Sequence, residues 1–222
     1  LVASRLGRHG SLRGTLEDTA AEIEAAGGRA VAIACDLSDG QARGDLLARA
    51  GDCFGEVDIL VNNAAGAVMK LPSQVSAQER NWMYEMNLNA PIDLAQQALP
   101  GMRQRACGWI LNISSASARQ PAVPYRDSQL AAHVIAAYGA TKAALDRYSV
   151  GLAHEVAADG VFVNALATTS IVLTEGADYV REIARKNPDM AEPVEMMAEA
   201  ALELCSGRHV GVVVLSRDLI HS

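Results

Sequence analysis

The sequence predicts an α/β fold built on a doubly wound, mostly parallel sheet, and three observations lead there. Short apolar runs suited to strands alternate with segments of helical period, and the alternation persists to the C-terminus. Several of those runs are continuous rather than alternating, as strands buried on both faces are. No internal repeat, low-complexity tract or linker divides the 222 residues, so 1–222 reads as one domain.

The elements follow in order. Leu1-Val2-Ala3 reads as the end of a strand. Thr15 to Ala26 reads as a helix, with Leu16, Ala20 and Ile23 on one face, Thr15 and Asp18 as a capping pair and Gly27-Gly28 as its stop. Ala30 to Cys35 is a buried strand, Gln41 to Cys53 a helix entered through Ser38, and Val57 to Val61 a further buried strand. Ser76 with Glu79 opens a helical stretch that runs towards Arg105, with Pro91 marking a bend because it lacks an amide. Trp109 to Ile113 is a strand, Ala136 to Ala157 a helix and Val161 to Leu166 a strand. Short helices at Ala177–Arg185 and Pro193–Cys205 precede a closing strand at Val210–Leu215.

Composition narrows the function. Half the residues are hydrophobic and 20% are charged, a globular balance. The net charge is -7 and the basic residues are scattered, which argues against nucleic acid as a ligand. No apolar run approaches the roughly 18 residues of a membrane span, and no signal peptide opens the chain, so a cytoplasmic protein is expected. Cys35, Cys53, Cys107 and Cys205 lie far apart in apolar contexts without nearby histidines. They read as buried hydrophobes in a reducing compartment, and no metal site is expected. His133 and His154 read as ordinary surface or core histidines.

The chemistry concentrates in Tyr138-Gly-Ala-Thr-Lys142, where helical spacing places a phenol and an amine on one face. With five tyrosines and three lysines, about 0.07 such pairs would arise by chance. The ammonium is expected to lower the phenol pKa towards the working range of a general acid/base. Asn112-Ile113-Ser114-Ser115 follows a strand, and parallel sheets present reactive groups at strand ends. Asp58-Ile-Leu-Val-Asn62-Asn63-Ala64-Ala-Gly66 runs from a strand into a small-residue turn. Asn87, mid-helix in Met-Asn-Leu-Asn89, is a poor helix former whose amide must be used.

Together these residues resemble the short-chain dehydrogenase/reductase family. Five elements recur in order: Asp36 in Cys-Asp-Leu, Asn62-Asn63-Ala-Ala-Gly66, Asn87 in Met-Asn-Leu, Ser115 in Ile-Ser-Ser, and Tyr138-xxx-Lys142. The likeness extends through Val163-Asn164-Ala165 to the closing strand. The resemblance implies a Rossmann-type sheet and an oxidoreductase acting on CH-OH groups with NAD(P). In it Tyr138 exchanges the proton, Lys142 tunes Tyr138 and holds the nicotinamide ribose, Ser115 orients the substrate oxygen and Asn87 supports a water relay. It places Asp36 and Leu37 at the adenine and Asn62, Asn63 and Ala64 along the cofactor groove. It also implies a homodimer or homotetramer formed through the helices around Trp82–Arg105 and Tyr138–Ala157.

The family's first strand and Gly-xxx-Gly-x-Gly turn have no counterpart. The spacings Gly10–Gly14, Gly40–Gly44 and Gly51–Gly55 each lack the third glycine. The strand order 3-2-1-4-5-6 puts that first strand in mid-sheet, so a βα unit of about 30 or more residues is expected ahead of Leu1, and Leu1–Ala3 is not expected to pair directly with Val57–Val61. The first strand seen here ends in Ser4-Arg5, followed by Arg8, His9 and Arg13 with no acidic residue before Glu17. That pattern favours NADP(H) over NAD(H), with Ser4 and Arg5 at the 2'-phosphate. Thr168-Thr169 stand where the family usually has Pro-Gly, and Thr174 is the candidate for the carboxamide or phosphate contact. Twenty-two residues separate Ser115 from Tyr138, and the insert with Pro121, Pro124, Tyr125 and Arg126 reads as a surface loop or a flap. Val68, Met69, Val123, Tyr125 and Val172 would give an apolar pocket for a hydrophobic ketone, aldehyde or secondary alcohol. A catalytically silent binding scaffold and an oligomerisation module are the competing readings.

Overall fold

The computed structural model describes residues 1–5, 14–119, 133–168, 171–172 and 191–221. Its first two strands, β1 (Val2–Ala3) and β2 (Ile33–Ala34), form a parallel pair. Between them lies α1 (Leu16–Ala25), which starts in the expected capping box: Asp18 N–H donates to Thr15 Oγ1 at 3.0 Å and Thr15 N–H to the Asp18 carboxylate at 2.9 Å. The helix ends in a turn through Gly27 at φ 85°, a left-handed conformation that glycine adopts without strain.

Two sequence-based expectations shrink in this region. The strand expected at Ala30–Cys35 is two residues long, because β1 offers only two residues to pair with it. The helix expected from Gln41 begins at Leu46 and runs to Phe54 as α2. Local side-chain bonds win over helix in the lost turn: Asp36 accepts from Ser38 N–H and Oγ, and Asp39 accepts from the amides of Gln41 and Ala42. Arg43 in the same stretch turns inward and is buried.

The main sheet has four parallel strands in the order β3 (Ile59–Asn62), β4 (Gly108–Ile113), β5 (Val161–Ala167) and β8 (Val213–Leu215). Asn62, Asn112, Ala165 and Val213 are in register across it. Between β3 and β4, α3 (Ala77–Tyr84) starts in a second capping box, Ser76 with Glu79. It passes through a five-residue π turn, Glu85–Asn89, into α4 (Ala90–Arg105). The distortion expected at Pro91 therefore falls earlier, and Pro91 sits in the first turn of α4, where no amide is needed. Helix α5 (Ala136–Val156) links β4 to β5. After β5 come a small parallel pair, β6 (Ile171–Val172) with β7 (Ala191–Glu192), then α6 (Val194–Leu204), β8 and α7 (Ser216–Ile220). The pair β6–β7 and α7 were not expected, and the helix expected at 177–185 lies outside the described residues.

Both faces of the main sheet are covered. Ile110 and Val163 pack with Leu94, Leu99 and Met102 of α4 and with Leu152 and Val156 of α5. Leu111 and Leu166 pack on the opposite face with Ala200 and Leu204 of α6. This is the doubly wound arrangement. The cysteines divide differently from expectation: Cys35 is buried and Cys205 partly so, but Cys53 and Cys107 are exposed, and all four are free thiols. Cys53 lies on the exposed side of α2 and Cys107 in the turn after α4.

Among the described residues no hydrogen-bonded ladder joins β1 to β3. A 660 Å³ cavity lies between them, lined by Leu1–Ala3, by Ile59–Ala64 and by Leu37, Met86 and Leu94. Ile59 and Val61, on one face of β3, are each 47% exposed.

Candidate active site

Parallel pairing brings the carboxyl ends of β3, β4 and β5 to one edge of the sheet. There Asn62–Ala64, Ser114–Ser115 and Thr168 leave their strands. Asn62 and Asn112 are buried neighbours whose side chains lock the edge: Asn62 Nδ2 donates to Asn112 Oδ1 at 2.8 Å, and Asn112 Nδ2 to Ser149 Oγ of α5 at 2.8 Å. The Asn62 side chain is thus engaged with β4, while Asn63 is exposed.

Helix α5 delivers the phenol and the amine. Lys142 is 1% exposed, and its ammonium donates to the carbonyl of Ile113, the last residue of β4, at 2.7 Å. Its Nζ lies 5.8 Å from the Tyr138 ring centroid. Burial lowers the Lys142 pKa to about 8, against the pull of Asp146 one turn further on. Tyr138 departs from the sequence-based expectation: burial raises its pKa, and a hydrogen bond from Ser115 only partly offsets that. Desolvation of the phenolate is the larger cause, and spacing on a helix says nothing of it.

Ser115 is held by the short turn it caps, Ala116–Ala118. Its Oγ accepts from Ser117 N–H at 3.2 Å and from the Ser117 hydroxyl at 2.9 Å, which leaves the Ser115 proton to be donated. This turn rests on α5 at Gly139, where a Cβ would lie 2.3 Å from Ser117 O. Glycine next to Tyr138 is therefore what lets Ser115 approach the phenol. The pattern drew attention only to the ends of Tyr138-xxx-Lys142.

Asn87 lies in the π turn, and its amide is used, as its position in the sequence demands. Oδ1 accepts from Gly66 N–H at 2.8 Å, while Nδ2 donates to Gly66 O at 2.7 Å and to Thr141 Oγ1 at 3.1 Å. The side chain holds the loop after β3 against α5. Gly66 itself touches Trp82 so closely that a Cβ would lie 2.2 Å from the ring. Ser115, Tyr138, Lys142 and Asn87 therefore form one cluster at the carboxyl edge of β3 and β4.

The residues expected at the adenine end form a second group. Ser4 and Arg5 follow β1 and are exposed, and Asp36 and Leu37 follow β2. Ser38 holds the Asp36 carboxyl below its usual range, by its hydroxyl first and its amide second. Leu37, Asn63 and Ala64 all line the 660 Å³ cavity between β1 and β3. Val68 and Val172 are partly buried and Met69 is exposed. Thr174, Val123, Tyr125, Arg8, His9, Arg13 and Thr169 lie outside the described residues.

Fold and site together define a dinucleotide-fold α/β chain with its polar cluster at the carboxyl ends of parallel strands. Comparison with known proteins gives the family. A family model described as short chain dehydrogenase matches residues 9–184. An uncharacterized oxidoreductase of Mycobacterium tuberculosis is 32% identical over 88% of the chain and 66% of its own length. Hydroxysteroid dehydrogenase-like protein 2 of Danio rerio is 30% identical over 99% of the chain and 51% of its own length. The crystal structure of a 3-oxoacyl (acyl-carrier-protein) reductase of Agrobacterium tumefaciens with NADP bound superposes with a TM-score of 0.76. It shares 29% identity over 92% of this chain and 80% of that one. The chain belongs to the short-chain dehydrogenase family, and it spans about half to two thirds of the length of these two curated relatives.

The residues fit a nicotinamide cofactor at one end. The buried Lys142 ammonium has three donors and gives one to Ile113 O, so it can still bond the paired hydroxyls of a ribose. For the pyrophosphate, no described residue forms a glycine turn opening a helix.

Proposed function

We propose that the protein is an NADP(H)-dependent oxidoreductase that interconverts a hydrophobic ketone or aldehyde and its alcohol, with Tyr138 as general acid/base. The observation that carries this reading is the convergence of the Ser115 hydroxyl, the Tyr138 phenol and the buried Lys142 ammonium at the end of β4. When bound, the nicotinamide supplies or accepts the hydride. Ser115 donates a hydrogen bond to the carbonyl oxygen and fixes its position. Tyr138, which burial keeps protonated at neutral pH, gives that oxygen its proton in the reducing direction and recovers one from solvent afterwards. Lys142 places its positive charge beside the phenolate so formed and holds the ribose. Asn87 acts through the loop and helix that it joins.

The apolar character of Val68, Met69 and Val172, together with the names of the reductase and dehydrogenase relatives, supports a hydrophobic carbonyl. NADP(H) is supported by Arg5 at the end of β1 and by the NADP-bound relative. A homodimer or homotetramer through α4 and α5 completes the reading.

The test is turnover of 2-octanone, octanal, a 3-oxoacyl thioester and a 3-ketosteroid with NADPH and NADH. Tyr138→Phe is expected to abolish turnover while leaving cofactor affinity nearly intact, and turnover within about tenfold of wild type would remove Tyr138 from the role. Arg5→Ala should weaken NADPH by about tenfold or more and NADH hardly at all, because only NADPH has the phosphate to lose. Equal losses would assign Arg5 a structural role. Absence of cofactor binding to the wild-type protein would favour the scaffold reading instead.

A further inference from the structure

Asn87 and Thr141 are both fully buried. Their polar groups must therefore be satisfied within the protein. Gly66 takes the Asn87 oxygen and one Nδ2 proton, and the second Nδ2 proton goes to Thr141 Oγ1. Thr141 passes the chain on: its own proton is donated to the Tyr138 carbonyl at 2.7 Å. Only a side-chain hydroxyl at this place can accept from Asn87 and donate to Tyr138 at once, and the branched threonine fixes the direction of both bonds.

We infer that Thr141 is a positioning residue of the active site. Through its hydroxyl the loop at Gly66, the π turn at Asn87 and the turn of α5 that carries Tyr138 make one hydrogen-bonded unit. The bond to the carbonyl three residues back ties the turn of α5 that carries Tyr138 to Asn87 and so sets the direction from which the phenol meets Ser115. Without the hydroxyl, Asn87 keeps a proton with no acceptor in a site closed to water. The amide must turn to find another, which loosens Gly66 on one side while the Tyr138 turn relaxes on the other. Proton transfer requires placement to a fraction of an ångström, so the rate should feel this more than binding does. The inference rests on the reading of Tyr138 as the acid/base, and its test has one arm that does not.

Thr141→Val keeps the shape and branching of the side chain and removes the hydroxyl, whereas Thr141→Ser keeps the hydroxyl. In the Val variant kcat should fall about tenfold or more while KM for cofactor and carbonyl stays within about threefold, and the Ser variant should retain kcat within about threefold. Amide hydrogen exchange at Gly66 should accelerate about tenfold in the Val variant and little in the Ser variant. A lowered Tm in the Val variant with unchanged kcat, or equal damage in both variants, would overturn the inference. If the wild-type protein turns over no carbonyl with either cofactor, the activity reading fails by itself. The Gly66 exchange then decides alone, and an unchanged rate in Thr141→Val overturns the positioning role.

Discussion

Lys142 shows at the scale of one residue how a site is held at a cost in stability. Its pKa of about 8 in the folded chain lies below the ordinary value of 10.5 because burial penalises the ammonium. Below pH 8 the lysine is protonated in both folded and unfolded chains, and the folded state carries the full desolvation penalty. Between pH 8 and 10.5 the unfolded chain binds the extra proton, so the lysine's contribution to stability rises with pH through that window. The difference in pKa corresponds to about 3 kcal/mol. Tyr138 works the other way above pH 10, since burial raises its pKa and the unfolded phenol ionises first. Up to about pH 9.5 the phenol stays largely protonated in both folded and unfolded chains, so over that range the difference from a Lys142→Met variant reads the lysine. The unfolding free energy of wild type minus that of Lys142→Met should therefore rise by about 2 kcal/mol from pH 7.5 to 9.5 in urea titrations. A flat difference would mean that the ammonium is solvated in the native protein.

At the scale of elements, Arg43 anchors the stretch just ahead of α2. It is buried, and its guanidinium donates to Leu37 O at 2.9 Å, to Asp93 at 2.6 Å and to Glu85 at 2.8 Å, while Gln97 Nε2 donates to its carbonyl at 3.0 Å. The loop that carries Asp36 and Leu37 is thereby pinned to the π turn and to α4. Arg43→Met should lower stability by about 2–3 kcal/mol, less than the loss of a wholly buried partner, because Glu85 and Asp93 are each 39% exposed and can rehydrate. Equilibrium unfolding in urea measures it, and a change under about 0.5 kcal/mol would show that the network adds nothing. None of these partners is near Arg43 in sequence except Leu37, which is why periodicity ran the helix back to Gln41. What depends on neighbours in the chain was legible: both capping boxes, the long helix bearing Tyr138 and Lys142, and the strand before Ser115. Asn87 was legible as a residue out of place, but its partners Gly66 and Thr141 lie 21 and 54 residues away. The raised Tyr138 pKa was not legible, because spacing locates a charge and says nothing of how much water the fold removes.

At the scale of the whole molecule, the covered sheet from β3 to β8 and the pair β1–β2 face each other across the 660 Å³ cavity. Each side presents a strand edge without a ladder partner among the described residues, and β3 adds the exposed row of Ile59 and Val61 beside its edge. An unpaired edge next to exposed β-branched side chains is a template for another strand, which soluble proteins ordinarily blunt with a charge. No charged residue lies within β3; Asp58 is the nearest, immediately before it. The chain of 222 residues, prepared by itself, should therefore self-associate through β3, and Val61→Lys should slow that association severalfold. Because the Val61 side chain is already half in water, the replacement should change Tm little. Light scattering at matched concentration, followed beside thermal unfolding, makes the comparison. Equal aggregation of Val61→Lys and wild type would show that this edge is not where copies meet, and amide exchange as slow at Ile59 and Val61 as at Ile110–Leu111 would show that the edge is paired in solution.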